Sequence, residues 1–97
     1  MILVDVKKNI ITVSGHAKFA DYGKDIVCAS VSSIIYTTVN GIFNIDKSAI
    51  KFNDDKLLKI EILNKSTVVD ILIENMIVLL EDLSIKYPKN IKVKKGD

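Results

Sequence analysis

Ile11-Thr12-Val13-Ser14-Gly15-His16, followed across a short loop by Asp25-Ile26-Val27-Cys28-Ala29-Ser30-Val31-Ser32, is where the periodicity of this chain changes. Ile11 and Val13 repeat every second residue, the pattern of a half-buried strand. From Ile26 onward Val27, Val31, Ile34, Ile35, Thr38, Val39 and Ile42 fall at helical spacing, opposite Ser30, Ser33 and Thr37. A strand therefore ends near Ser14-Gly15 and a buried amphipathic helix begins near Ile26. Asp25 is placed to cap that helix by accepting from first-turn amides, which puts Cys28 at its third position. Asn40-Gly41 offers a stop through a left-handed cap, although Ile42 and Phe43 are also able to continue the helix.

Working outward, Ile2, Val4 and Val6 alternate upstream, and Lys7-Lys8-Asn9 separates them from Ile11 and Val13 as the turn of a hairpin. Downstream, Ala49 to Phe52, the turn Asn53-Asp54-Asp55-Lys56, and Leu58, Ile60 and Ile62 make a second hairpin. Thr67 with Asp70 resembles a capping box, and Val69, Leu72, Met76, Leu79, Leu80 and Leu83 supply a second helical stripe. That helix stops before Pro88, after which Ile91 and Val93 alternate with lysines as a last strand. The order is ββαββαβ. It predicts an α+β two-layer sandwich, a mostly antiparallel sheet covered by two helices, as a single domain over residues 1–97.

Composition narrows the function. All 14 basic residues are lysines, and the net charge is only +2. Without guanidinium forks, sequence-specific nucleic-acid reading is not expected. The charge is nevertheless uneven: residues 86–97 hold five lysines and one acid, whereas residues 1–85 hold nine lysines and eleven acids. One cysteine excludes an intrachain disulfide and fits a reducing cytosol. No stretch reads as approaching the roughly 20 apolar residues of a membrane span, so a soluble cytoplasmic protein without a membrane partner is expected.

The only histidine and the only cysteine of the chain flank the strand-to-helix loop. Taken singly, each has an ordinary structural reading. Cys28 lies on the stripe of Val31, Ile35 and Val39, and cysteine is among the most buried residues. A lone histidine at a strand end is commonly solvated or hydrogen-bonded. Jointly they form a nucleophile and base: first-turn amides, the helix dipole and an imidazolium all favour a Cys28 thiolate, and the same amides suit an acyl-transfer oxyanion. Asp25 is the candidate orienter of His16 as well as the cap, with Asp21 as a competitor. Ser32, one turn after Cys28, either reaches the thiol or back-bonds to the helix. Zinc sites ordinarily need three or four ligands, which one His and one Cys do not supply, so no metal and no cofactor are expected. Phosphate-binding loops, a dinucleotide fingerprint, a CxxC pair and a serine elbow are all absent from the sequence.

Gly15-His16-Ala17 followed by Gly23-Lys24-Asp25-Ile26-Val27-Cys28-Ala29-Ser30-Val31-Ser32 resembles the signature of the bacterial ribosomal-processing cysteine protease family, Prp. The length, element order and motif position also resemble that family over essentially the whole chain. The resemblance implies a cytoplasmic endopeptidase that removes the N-terminal extension of the large-subunit ribosomal protein numbered twenty-seven, cutting after a phenylalanine. It implies a homodimer, with His16 and Cys28 as the catalytic pair. Asp25 matches a motif aspartate whose role is either orienting or capping. The loop from Lys18 to Gly23 matches a mobile segment that folds over bound peptide, which makes Phe19, Tyr22 and Gly23 candidate substrate-binding residues. The competing reading is a non-catalytic ribosome- or RNA-associated module using the lysine-rich tail.

Overall fold

Alternating strands and two amphipathic stripes assemble as their periods require. The computed structural model describes residues 1–15, 26–55 and 57–96. Its elements are β1 (Ile2–Lys7), β2 (Ile10–Ser14), α1 (Ile26–Ile45), β3 (Ile50–Asp54), β4 (Leu58–Ile62), α2 (Thr67–Lys86) and β5 (Ile91–Lys95). The five strands form one sheet in the order β3-β4-β2-β1-β5. Three pairings are antiparallel and β1 with β5 is parallel, so the sheet is mixed but mostly antiparallel, as expected. Lys7 pairs with Ile10, leaving Lys8 and Asn9 as the hairpin connection. Asn9 takes φ +68°, a left-handed conformation that asparagine tolerates better than most residues.

The register sorts every strand into two faces. Val4 opposes Val13 and Val93, Val13 opposes Leu58, and Ile11 opposes Ile60, so one face is continuously aliphatic. Asp5 opposes Thr12 and Lys94, and Thr12 opposes Lys59, so the other face is polar. Both helices cover the aliphatic face, α1 reaching β3 and α2 reaching β5 while they pack on each other. Val31, Ile35 and Ile42 of α1 and Met76 and Leu80 of α2 are fully buried there. Each such side chain contributes roughly 1.5–3 kcal/mol of transfer free energy.

One open alternative is decided and three local expectations are corrected. Helix α1 does not stop at Asn40-Gly41 but runs to Ile45. Gly41 has no left-handed backbone, and burial of Ile42 outweighs the helix penalty of about 1 kcal/mol for glycine. Ser66 rather than Thr67 caps α2: its Oγ accepts from the Val69 N–H at 3.2 Å, which moves Asp70 one place beyond the capping-box position. β3 continues through Asn53 and Asp54, which pair with Lys59 and Leu58, so the second turn is shorter than the sequence indicated. Finally, α1 is long and apolar enough to cross a membrane by length and composition. It instead places Val27, Cys28, Val31, Ile35, Val39 and Ile42 in the core.

Between α1 and β3, Asp46 Oδ1 accepts from the Ser48 hydroxyl at 2.7 Å and from the Ser48 N–H at 2.9 Å. These bonds hold the Asp46 carboxyl below its usual range. Asn64 Nδ2 donates to the Ser48 carbonyl at 2.8 Å and ties this turn to the end of β4.

Chain direction fixes where α1 starts. β2 and β3 both run away from the Lys8 turn, and α1 connects the far end of β2 to the near end of β3. Twenty helical residues span about 30 Å, so Ile26 and Cys28 lie towards the Gly15 end of the sheet. Gly15 itself has φ +68°, and a Cβ there would overlap the Met1 carbonyl oxygen. Two glycines therefore predict opposite effects. Gly15→Ala should destabilise the fold by more than about 1 kcal/mol, through the left-handed backbone alone and further through displacement of Met1. Gly41→Ala, where an added Cβ meets nothing within 4 Å, should stabilise it by about 0.5–1 kcal/mol. Urea unfolding of the two variants checks both signs.

Candidate active site

Cys28 is the third residue of α1, in the turn whose backbone N–H groups have no intrahelical acceptor. The helix starts at Ile26, so Asp25 is the residue immediately before it. No acidic residue lies within the first turn to oppose negative charge on the thiol. The oriented peptide dipoles and these donors favour an anion at this position.

Packing sets the direction of the thiol. Val27, Val31 and Ile35 are 3%, 0% and 0% exposed, whereas Cys28 retains 8%. The side chain is thus held among core residues yet lies towards the end of the sheet rather than at its centre. On the opposite side of α1, Ile26 and Ala29 are exposed and Ser30 is half-buried. Ser30 Oγ donates to the Ile26 carbonyl at 2.7 Å, and Thr38 Oγ1 donates to that of Ile34 at 2.8 Å. These hydroxyls satisfy themselves against the helix instead of extending towards a ligand.

The second anchor is the end of β2. Leu3 pairs with Ser14, and Gly15 follows in close contact with Met1. The chain leaves the sheet there and returns at Ile26, bringing both ends of the motif to the same end of the fold. His16, Phe19, Asp21, Tyr22, Gly23 and Asp25 lie outside the described residues, as does the remainder of the Lys18–Gly23 loop. Among the described residues, no group of three or more His, Cys, Asp or Glu side chains converges as a metal would require. The close approach of Gly15 to Met1 was not read from the sequence. Its signal was the glycine between Ser14 and His16, a residue type suited to a left-handed exit.

A family model described as "Cysteine protease Prp" matches residues 1–92. The ribosomal processing cysteine protease Prp of Mycoplasma genitalium is 30% identical over 96 residues, covering 96% of this chain and 94% of that protein. Its namesake in Bacillus subtilis is 32% identical over 92 residues, covering 84% and 80%. Among solved structures, the essential ribosomal processing protease Prp from S. aureus in complex with a substrate peptide superimposes with a TM-score of 0.87 at 25% identity, covering 99% of this chain and 100% of that one. The S. aureus protein with a covalently linked product peptide gives the same TM-score at 26% identity and the same coverage.

The residue before α1 allows its two candidate roles to be separated. Asp25→Ala should cost about 1 kcal/mol of stability, whereas Asp25→Asn should change it by only a few tenths, because asparagine caps about as well as aspartate. Turnover of the Asn variant then reads the carboxylate's charge apart from its capping. A several-hundredfold loss at unchanged stability assigns it to orienting His16, and full turnover assigns it to capping.

Proposed function

The chain belongs to the Prp family of cysteine proteases, and on that footing we propose that Cys28 is its nucleophile and His16 its general acid and base. The observation that carries this reading is the placement of the sole cysteine in the first turn of a 20-residue helix, at the sheet end where the His16 segment departs. His16 takes the thiol proton, and the thiolate attacks the scissile carbonyl carbon. First-turn amides receive the oxyanion that develops. Collapse expels the amine, which takes its proton from the imidazolium, and leaves a thioester on Cys28. Water, deprotonated by His16, then hydrolyses the thioester and restores the thiol. The covalently linked product peptide of the S. aureus relative is in keeping with such an intermediate.

The substrate we propose is the N-terminal extension of the large-subunit ribosomal protein numbered twenty-seven, cut after a phenylalanine, in the cytoplasm. The relatives' designation as ribosomal processing proteases and the substrate peptide held by one of them support a peptide substrate of this kind. In this reading Phe19 and Tyr22 cover apolar substrate side chains as the Lys18–Gly23 loop closes, with Gly23 as the hinge. Closure excludes water and aligns the carbonyl with the thiolate.

A homodimer also belongs to the proposal. Val68, Ile71, Val78, Leu79 and Ile85 of α2 are all exposed, Ile71 at 61% and Ile85 at 77%. They recur at helical spacing away from the buried stripe of Val69, Ile73, Met76, Ile77 and Leu80. An exposed apolar face of this kind, interrupted by Asn75 and Asp82, fits association with a second copy. Ile71→Asp with Val78→Asp should halve the sedimenting mass while preserving the circular dichroism spectrum, and an unchanged monomeric mass in the parent protein would contradict the dimer.

Cys28→Ser should bind the extension peptide and fail to cleave it. His16→Ala should lose turnover without unfolding, since a strand-end ring contributes little core packing. A chromatographic cleavage assay with parallel unfolding curves checks both variants. Normal turnover by either refutes its catalytic role, and global unfolding of His16→Ala favours a structural one. Amide exchange over residues 17–24 should slow when an uncleavable extension peptide is added; equal protection in the two states would rule out a substrate-coupled lid.

A further inference from the structure

The open face of the sheet along β5 and the Lys8 turn collect charge that the proteolytic reading does not use. Lys7 and Lys8 close the first hairpin, while β5 brings Lys92, Lys94 and Lys95 alongside β1. Lys92 and Lys94 share the open face of the sheet, opposite Leu3 and Asp5 in the parallel register. Successive same-face positions on a strand are about 6.6 Å apart, so these two ammonium groups form a short row along an edge strand. The Gly96 N–H donates to the Val6 carbonyl at 2.9 Å and holds the end of that strand against β1.

Lys7 and Lys8 stand between two clefts. One, of about 610 Å³, is lined by Val6, Lys7, Lys8, Glu74, Lys95 and Gly96, together with Ile77. The other, of about 320 Å³, lies on the open face and is lined by Asp5, Lys7, Lys8, Ile10 and Thr12. The acids do not neutralise this surface. Among the described residues only Lys95 of the five lysines is ion-paired, to Glu81 at 3.3 Å. Asp5, opposite Lys94, has Oδ1 shielded from solvent and without a hydrogen-bond partner among the described residues. Glu74 is the one acid lining the larger cleft.

We infer that this edge, from Lys92 and Lys94 on the open face across to Lys7 and Lys8, docks the phosphate backbone of RNA, independently of the protease chemistry of Cys28 on the helix-covered face. Three features select that partner. Lysines are compact point charges without the fork that clamps a single carboxylate, so they suit a run of phosphates read by charge and not by base. Their arrangement is a track of exposed cations along one strand and around one turn, which matches a linear polyanion. The exposed large apolar residues among those described lie on Met1, α1, α2 and the segments around β4, none on β5 or the Lys8 turn, so the surface lacks the apolar anchors of a membrane-binding face. Lysines on an edge strand also oppose aggregation, and the track serves that purpose at the same time.

The test is fluorescence anisotropy of the full chain with fluorescein-labelled oligo(U), titrated across salt concentrations. The triple variant Lys8→Gln, Lys92→Gln, Lys94→Gln should bind at least tenfold more weakly at low salt. Its log–log salt slope should be shallower by about 2, since each single-strand phosphate contact contributes about 0.7. The charge-matched triple Lys47→Gln, Lys51→Gln, Lys65→Gln, away from β5, should keep the parent affinity within about twofold. Both triples should retain peptide cleavage, because the substituted lysines are exposed and none lies on α1, whose first turn holds Cys28. Equal weakening by the two triples would overturn the assignment in favour of diffuse charge. Oligo(U) binding that is undetectable, or displaced equally well by poly-glutamate at equal charge concentration, would overturn it as well.

Discussion

The rotation of α1 about its own axis is the constraint on which the site depends. Val31, Ile35 and Ile42 leave no exposed surface, so turning the helix would expose side chains worth roughly 1.5–3 kcal/mol each. That rotation places Cys28 on the core side of the first turn, with a small residual opening. Gly15 supplies the matching constraint on β2, because only a residue without Cβ passes the Met1 carbonyl at φ +68°. A fixed helix start and a fixed strand exit then deliver the two ends of the His16–Asp25 segment to one end of the sheet.

The element order was legible because the two hairpins and the two helices carry different, uninterrupted periods. Partners were less legible. β5 lies parallel to β1 at an edge, a long-range pairing that the alternation of Ile91 and Val93 with lysines does not encode. Two boundaries have local causes. Asn40-Gly41 resembles a stop, yet burial of Ile42 carries the helix onward to Ile45. Thr67 resembles a cap, but Ser66 is the residue with extended backbone, φ −148° and ψ 163°, and an accepting hydroxyl. At the site, periodicity alone was ambiguous because Cys28 shares its stripe with true core residues. The motif around it distinguished the chemistry, and the start of α1 at Ile26 agrees with the expected third helical position.

The layout separates two kinds of surface across the sheet. Cys28, the proposed nucleophile, lies in the first turn of α1, in a setting of apolar burial and helix-terminal amides. Cations gather along the open face of β5, at Lys92 and Lys94, and around the Lys8 turn. On the two proposals above, the open face holds RNA by screened, reversible charge contacts while the first turn of α1 forms the covalent bond. The low net charge of +2 conceals the excess of lysines over acids in residues 86–97.

The most direct test of the central claim is covalent trapping at Cys28. A peptide chloromethyl ketone carrying the extension sequence and ending in phenylalanine is incubated with the protein, and the modified residue is located by mass spectrometry of the digest. The account predicts one adduct per chain, on Cys28, formed in step with loss of peptide cleavage and slowed when His16 is replaced by Ala. Retention of cleavage by protein whose Cys28 is fully alkylated would contradict it.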